Sequence, residues 1–182
     1  MKPTPTNALA FVWGFAEATL FFIVPDVLLS WLALRNLKHA LVCCLYALTA
    51  ALLGGGMMWF VGHSDADAWR ALFASLPAID DDMITSVRSQ LENSGLLSIF
   101  WGPLSGTPYK IYALEAGSLN FGLAIFLLVS IPARLIRFVV IVVVVSQLGR
   151  FLDSRLNLGQ RQLLLAVCWS GFYSWYFYIM PQ

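Results

Sequence analysis

LLSIFWGPLSGTPYKIYALEAG, residues 96–117, is long and apolar enough to enter a membrane, yet it is written to break there. Two prolines and two glycines fall within Gly102–Pro108. No continuous helix survives that spacing. Backbone freed at membrane depth must be covered by protein or line a wet cavity. A re-entrant hairpin meets this demand: two half-helices that enter and leave on the same side.

Composition makes the membrane the expected solvent. Of 182 residues, 59% are hydrophobic and only 12% charged, with a mean hydropathy of +0.76. Soluble domains carry about 25% charged residues, so this chain has half the charge needed to cover a watery surface. A net charge of +1 gives no electrostatic case for nucleic acid. Cys43, Cys44 and Cys168 lie in apolar stretches without metal-ligand spacing and read as packing residues. No metal and no cofactor is expected. The N-terminal apolar run is far longer than a signal-peptide core and has no clear cleavage site, so it is expected to persist in the mature protein.

A bilayer core about 30 Å thick needs about 20 apolar residues per helical crossing. Four further stretches qualify beside 96–117: residues 8–34, broken by Glu17, Pro25 and Asp26; 40–61, uncharged; 121–147, containing Pro132, Arg134 and Arg137; and 163–180, also uncharged. The second and last read as ordinary spanning helices. Ala50, Ala51, Gly54 and Gly55 give the second a close-packing face. The run "WSGFYSWYFY" (169–178) suits an interfacial belt. The first stretch reads as a second re-entrant hairpin around Pro25, with a single tilted crossing as the alternative.

Loop charge supports the hairpins. Lys2, Arg35 and Lys38 flank the first stretch at both ends, and Arg150, Arg155 and Arg161 flank the last connection, so all are expected on the cytoplasmic side. Residues 63–94 hold six acids (Asp65, Asp67, Asp80, Asp81, Asp82, Glu92) against two arginines, hence −4, and suit the outside. The chain then traces a hairpin and helix from inside, followed by a hairpin and helix from outside. The expected fold is an all-α integral membrane protein: an inverted repeat of re-entrant hairpin plus transmembrane helix, with about three spanning helices and two hairpins. Its parts are 8–62, the outer segment 63–94, 95–149 and a C-terminal helix over 162–180. This architecture places a substrate site near the midplane. In the outer segment, Trp69, Leu72, Phe73 and Leu76 share a helix face, Pro77 is expected to end that helix, and Asp80–Asp82 begin another that stops at Gly95. Both are expected to lie on the membrane surface. "HSDAD" (63–67) reads as a solvated helix start rather than a metal site.

Six ionisable residues fall inside the apolar stretches: Glu17, Asp26, Lys110, Glu115, Arg134 and Arg137. Facing lipid, each costs about 2.5–3.5 kcal/mol, so they must pair or face a cavity. Arg134 and Arg137 share a helix face, and Arg134 lies about 20 Å along its helix from Asn120. Arginine forks suit phosphate, and a half-helix N-terminus at Gly102–Gly106 adds backbone donors. Lys110, Arg134, Arg137, Gly102 and Gly106 thus form a candidate site for a lipid phosphate. Glu17, Asp26 and Glu115 are candidates for proton coupling, because buried carboxyls bind protons more readily. The alternative is that bases and acids merely pair to fix helix packing.

At these residues the chain resembles the DedA family, also called the VTT or SNARE-associated domain. "EATLFFIVPD" (17–26) supplies the family's early Glu and its proline–acid turn, without the turn glycine. "GPLSGTPYKIYALEAG" (102–117) keeps Gly102, Gly106, Ala116 and Gly117 of the second hairpin motif; Pro103 and Ser105 replace an Arg and a Pro, and Lys110 stands one place from the second Arg. "LENSG" (91–95) resembles the family's lead-in, and Arg134 and Arg137 in "IPARLIRF" can compensate for the missing base. The resemblance spans roughly residues 8–150. It implies opposed re-entrant hairpins in a bacterial inner membrane, with the N-terminus cytoplasmic. It also implies movement of undecaprenyl phosphate or a phospholipid between leaflets, dependent on the proton-motive force, by a protein that is not an enzyme. Association into a homo-oligomer stays open. A scaffold whose buried charges are sealed in pairs is the competing expectation. His39 and His63 lie at stretch ends, away from any Ser or Cys at depth, which argues against intramembrane catalysis.

Overall fold

The computed structural model describes residues 4–76 and 78–179; Pro77, expected to end a helix, lies outside them. Among the described residues the chain is helical throughout, with no strand. In order the helices are α1 (Pro5–Thr19), α2 (Asp26–Ala33), α3 (Leu37–Ala74), α4 (Asp81–Ser94), a 3-10 segment (Gly95–Phe100), α5 (Gly102–Ser105), α6 (Tyr109–Ser118), α7 (Leu123–Phe151) and α8 (Leu158–Ile179). α3 and α7 are long and apolar enough to cross a membrane. Their outer faces are apolar too: Leu45, Leu53 and Phe60 on α3, and Leu128, Ile136, Val140 and Leu148 on α7, are all more than half exposed. A helix in the core of a soluble protein would turn polar residues outward.

The first stretch folds back on itself. α1 runs in the same direction as α3: Thr6 Oγ1 lies 2.8 Å from His39 Nε2, Asn7 packs on Cys43, and Ala18 packs on Gly54. The chain breaks over residues 20–25, and α2 returns beside α7, from Arg137 at its start to Gly149 beside Leu34. Asn36 then caps α3 by accepting from His39 N. Both ends of the α1–α2 pair therefore sit at the His39 end of α3.

The second broken stretch mirrors this from the other end. The chain leaves α4 at Gly95, where φ is +61°, and reaches mid-height at Gly102–Gly106. α6 then runs back along α3, from Tyr109 beside Gly55 to Gly117 beside Trp59 and His63. α7 descends antiparallel to α3, tied by Trp59 Nε1 to Phe121 O (2.9 Å) and by Tyr109 to Ser130 (2.9 Å). Adjacent glycines on α3 divide the work: Gly54 receives α1 and Gly55 receives the Tyr109 ring. The small-residue face expected for close packing thus serves two partners.

Residues 63–94 pack against the rest of the protein. α3 continues through residues 40–61 to Ala74, bending at Asp65 (φ −153°, ψ 72°), whose carboxylate accepts from Ala68 N. The apolar side is spent on the protein: Phe73, Ile84, Val87 and Leu91 are buried in the core that holds α6, and Tyr112 bonds Gln90 (2.7 Å). Asp80 caps α4 by accepting from Met83 N (2.8 Å).

Candidate functional site

The two chain breaks meet at mid-height. Gly106, with φ +77°, ends α5 in a conformation that a side chain would strain. Two residues later Pro108 starts α6, and its second residue, Lys110, is fully buried. Its ammonium donates to Leu20 O (3.1 Å) and Phe21 O (3.4 Å) and sits 3.8 Å over the Phe22 ring. Those carbonyls are left over at the C-terminal end of α1, where a helix carries partial negative charge. Lys110 therefore ties the two tips together.

The arginines of α7 engage the first hairpin. Arg134 forms a fork on Glu17: Nη1 donates to Oε1 at 3.1 Å and Nη2 to Oε2. Both residues are buried, and the guanidinium lies between the rings of Tyr109 (4.7 Å) and Phe138 (5.0 Å). One turn on, Arg137 Nε donates to Asp26 Oδ2 at 2.8 Å, and Nη2 reaches the same oxygen. Asp26 Oδ1 and Arg134 Nε are buried without a hydrogen-bond partner among the described residues. Buried ion pairs approach neutrality in stability, but one left without its partner costs about 3–5 kcal/mol.

Glu115 stands elsewhere. It is fully buried at the far end of α6 from the cavity, where Arg70 donates to it from Nε (2.6 Å) and Nη2 (2.9 Å), Arg88 from Nη1 (3.3 Å), and both arginines also reach Ser118. It pins the outer segment to α6 and does not join Glu17 and Asp26. Neither does Lys110 approach Glu17 as a partner; Arg134 holds that position. Arg70 and Arg88 were not legible as partners of a membrane carboxylate, because they lie 45 and 27 residues from it.

Between the tips lies a cavity of about 180 Å³. Phe21, Phe22 and Val24 line it from the first tip; Gly102, Gly106, Thr107, Pro108 and Tyr109 from the second; and Glu17, Asp26 and Arg137 form its ionisable wall. The fourth side is α8, through Trp169, Phe172, Tyr173 and Tyr176. Of the expected binding residues, Gly102, Gly106 and Arg137 line the cavity, while Arg134 lies behind Tyr109 and Lys110 is withdrawn into the tip contact. The α8 aromatics were expected only as an interfacial belt. Their spacing at 169, 172, 173 and 176 is one helix face, the signal that marks them. α8 packs lightly: Gln162 is its one buried residue among those described. Beyond Gln162, its bonds to the hairpins are Trp169 Nε1 to Ser30 Oγ (3.0 Å), Val24 N to Tyr173 OH (2.9 Å) and Tyr176 OH to Gly106 O (3.3 Å).

The N-terminus of α2 holds its own anion, Asp26. The N-terminus of α6 has no acidic residue in its first turn and opens at the cavity through Pro108 and Tyr109. No group of three or more His, Cys, Asp or Glu side chains gathers to hold a metal among the described residues.

No family model matches the chain, and no solved structure matches it. An uncharacterized protein of Haemophilus influenzae is similar, at 29% identity over 133 residues that cover 73% of this chain and 68% of that protein.

Proposed function

We propose that this chain is a multi-pass membrane protein that moves a phosphate-bearing lipid between leaflets, in the manner of the DedA family. The observation that carries the reading is the cavity between two broken segments, walled by Arg137, Asp26 and Glu17 and flanked by helices with apolar outer faces. In this reading α1–α2 and residues 95–118 are opposed re-entrant hairpins related as an inverted repeat. α3, α7 and α8 are the spanning helices. α8, at 22 residues, is about 33 Å long, enough to cross.

Orientation follows from charge. Arg35, Arg150, Arg155 and Arg161 gather where Leu34 meets Gly149 and Arg161 donates to Gly149 O (2.8 Å). The acids at 65, 67, 80–82 and 92 lie at the opposite end. The basic end, with the N-terminus, is cytoplasmic by the positive-inside rule, in a bacterial inner membrane.

A headgroup phosphate in the cavity meets the Arg137 fork, the open α6 N-terminus and the glycine-lined tip at Gly102 and Gly106. A proton taken up by the Asp26 carboxylate releases Arg137 from its pair, so the lipid phosphate takes the guanidinium while the proton stays on Asp26. Arg134 and Glu17 form the second such pair behind it. Reconstituted liposomes test this, with labelled undecaprenyl phosphate and a labelled phospholipid followed across the bilayer. Arg137→Ala is expected to abolish movement, and Asp26→Asn to remove its pH dependence. An unchanged pH profile in both Asp26→Asn and Glu17→Gln rules out coupling through these carboxyls.

A second reading is favoured by the one-to-one matching of acid to arginine: a scaffold in which Glu17–Arg134 and Asp26–Arg137 only fix helix packing. The swap Glu17→Arg with Arg134→Glu separates the two. It restores function in a scaffold and fails in a transporter, whose cavity needs its charges in place.

A further inference from the structure

We propose that α8 is the lateral gate of the cavity, with Tyr173 and Tyr176 as positioning residues that latch it shut; this rests on the lipid-movement reading above. A lipid whose phosphate reaches Arg137 must leave its chains in the bilayer, so the cavity needs a side opening. The helices that carry the two tips and the charged wall are firmly held. α1, α3 and α6 interlock through glycines whose hydrogens alone fit: a Cβ at Gly14 would stand 2.6 Å from Ala47 O, and at Gly62 1.9 Å from Leu114 O. α7 is held by the two forks from Arg134 and Arg137.

α8 is built differently. Its cytoplasmic end is fixed: Arg161 donates to Gly149 O and pairs with Asp153 (2.7 Å), and the Gln162 amide oxygen accepts from Trp31 and Arg35. Beyond that end no described side chain of α8 is buried. What holds it is one hydrogen bond to each piece it must cover. Trp169 reaches α2, Tyr173 the first tip and Tyr176 the second. Val167, Trp175 and Tyr178, turned away from the cavity, are exposed. A helix anchored at one end and latched by single polar bonds swings about that fixed end, at Arg161 and Gln162, without disturbing the core. The minor open state expected for so light a latch is populated at about 0.1–10%. Lipid then enters sideways between α8 and the tips, and the tyrosines re-form their bonds behind it.

The gate makes a prediction opposite to that for a structural helix. Tyr173→Phe and Tyr176→Phe remove the latch while keeping the rings, and each is expected to raise lipid movement about threefold, the worth of one such bond in a membrane protein. Spin labels at Leu53→Cys on α3 and Trp175→Cys on α8, with Cys43, Cys44 and Cys168 replaced, read the opening without transport. Two distances are expected, the longer one enriched in the Phe variants. A reducible bis-thiosulfonate bridge between Ser30→Cys and Trp169→Cys is expected to stop lipid movement, and reduction to restore it. Movement at full rate through the bridged protein, or a single distance unchanged in the Phe variants, overturns the gate and leaves the transport reading standing. Folded protein that moves neither undecaprenyl phosphate nor phospholipid before bridging overturns both.

Discussion

Two regions touch the same cavity and are held by opposite means. The α1–α3–α6 core is joined by backbone approach: Gly14 on Ala47, Gly54 on Ala18, Gly62 on Leu114 and Gly117 on Trp59. α8 meets the same hairpins through three aromatic side chains and their polar tips. Lipid tails compete equally for apolar surface, so helices in a bilayer associate by fit and by polar contacts rather than by exclusion from water. Close glycine contacts give fit that no lipid can match. Aromatic bonds at arm's length give attachment that can be undone. The contrast separates the part of the molecule that holds the charges still from the part that is lightly attached.

Mutations can break or sharpen this contrast. The largest effect is expected from Arg134→Ala, which strands Glu17 in the core at a cost of about 3–5 kcal/mol. Thermal unfolding in detergent reads it, and adding Glu17→Gln should recover most of the loss. Gly117→Val comes next. Its Cβ would stand 2.0 Å from Trp59 O, and overpacking of this kind costs about 3 kcal/mol; protein that stays monodisperse at wild-type temperature would show that the helices can part there. Arg70→Ala removes a two-pronged bond to Glu115 but leaves Arg88 in reach, for a loss of about 2 kcal/mol, seen as faster hydrogen exchange in the end of α3 beyond Asp65. The smallest effect belongs to Trp169→Phe, about 0.6 kcal/mol. A loss as large as that of Arg134→Ala would place α8 within the core and dissolve the contrast.

Much of the frame could be read from the chain. The breaks at Pro25 and at Gly102–Pro108 are written in residues that interrupt a continuous helix, and the six ionisable residues announce themselves by their cost in apolar stretches. The small face at Gly54–Gly55 and the caps at Asp80 and Gly95 are equally local. The partners are not. Glu17 has Lys110 and two arginines to choose among, and composition favours none. The choice of Arg134 follows from where the return of α2 beside α7 places each side chain. Glu115 looks like a companion of Glu17 and Asp26 until α6 is seen to run outward, carrying it to Arg70 and Arg88. The aromatic face of α8 suits water's edge as well as a cavity wall, and only its approach to Val24 and Gly106 decides between them.

The sequence by itself determined that the backbone must break twice within apolar surroundings and that its charges need partners. Both are local consequences of proline, glycine and desolvation. The tertiary structure decided which charge answers which, and that the two breaks meet at one cavity. Those are distances between residues as far apart in the chain as 117 positions, and no local propensity encodes them.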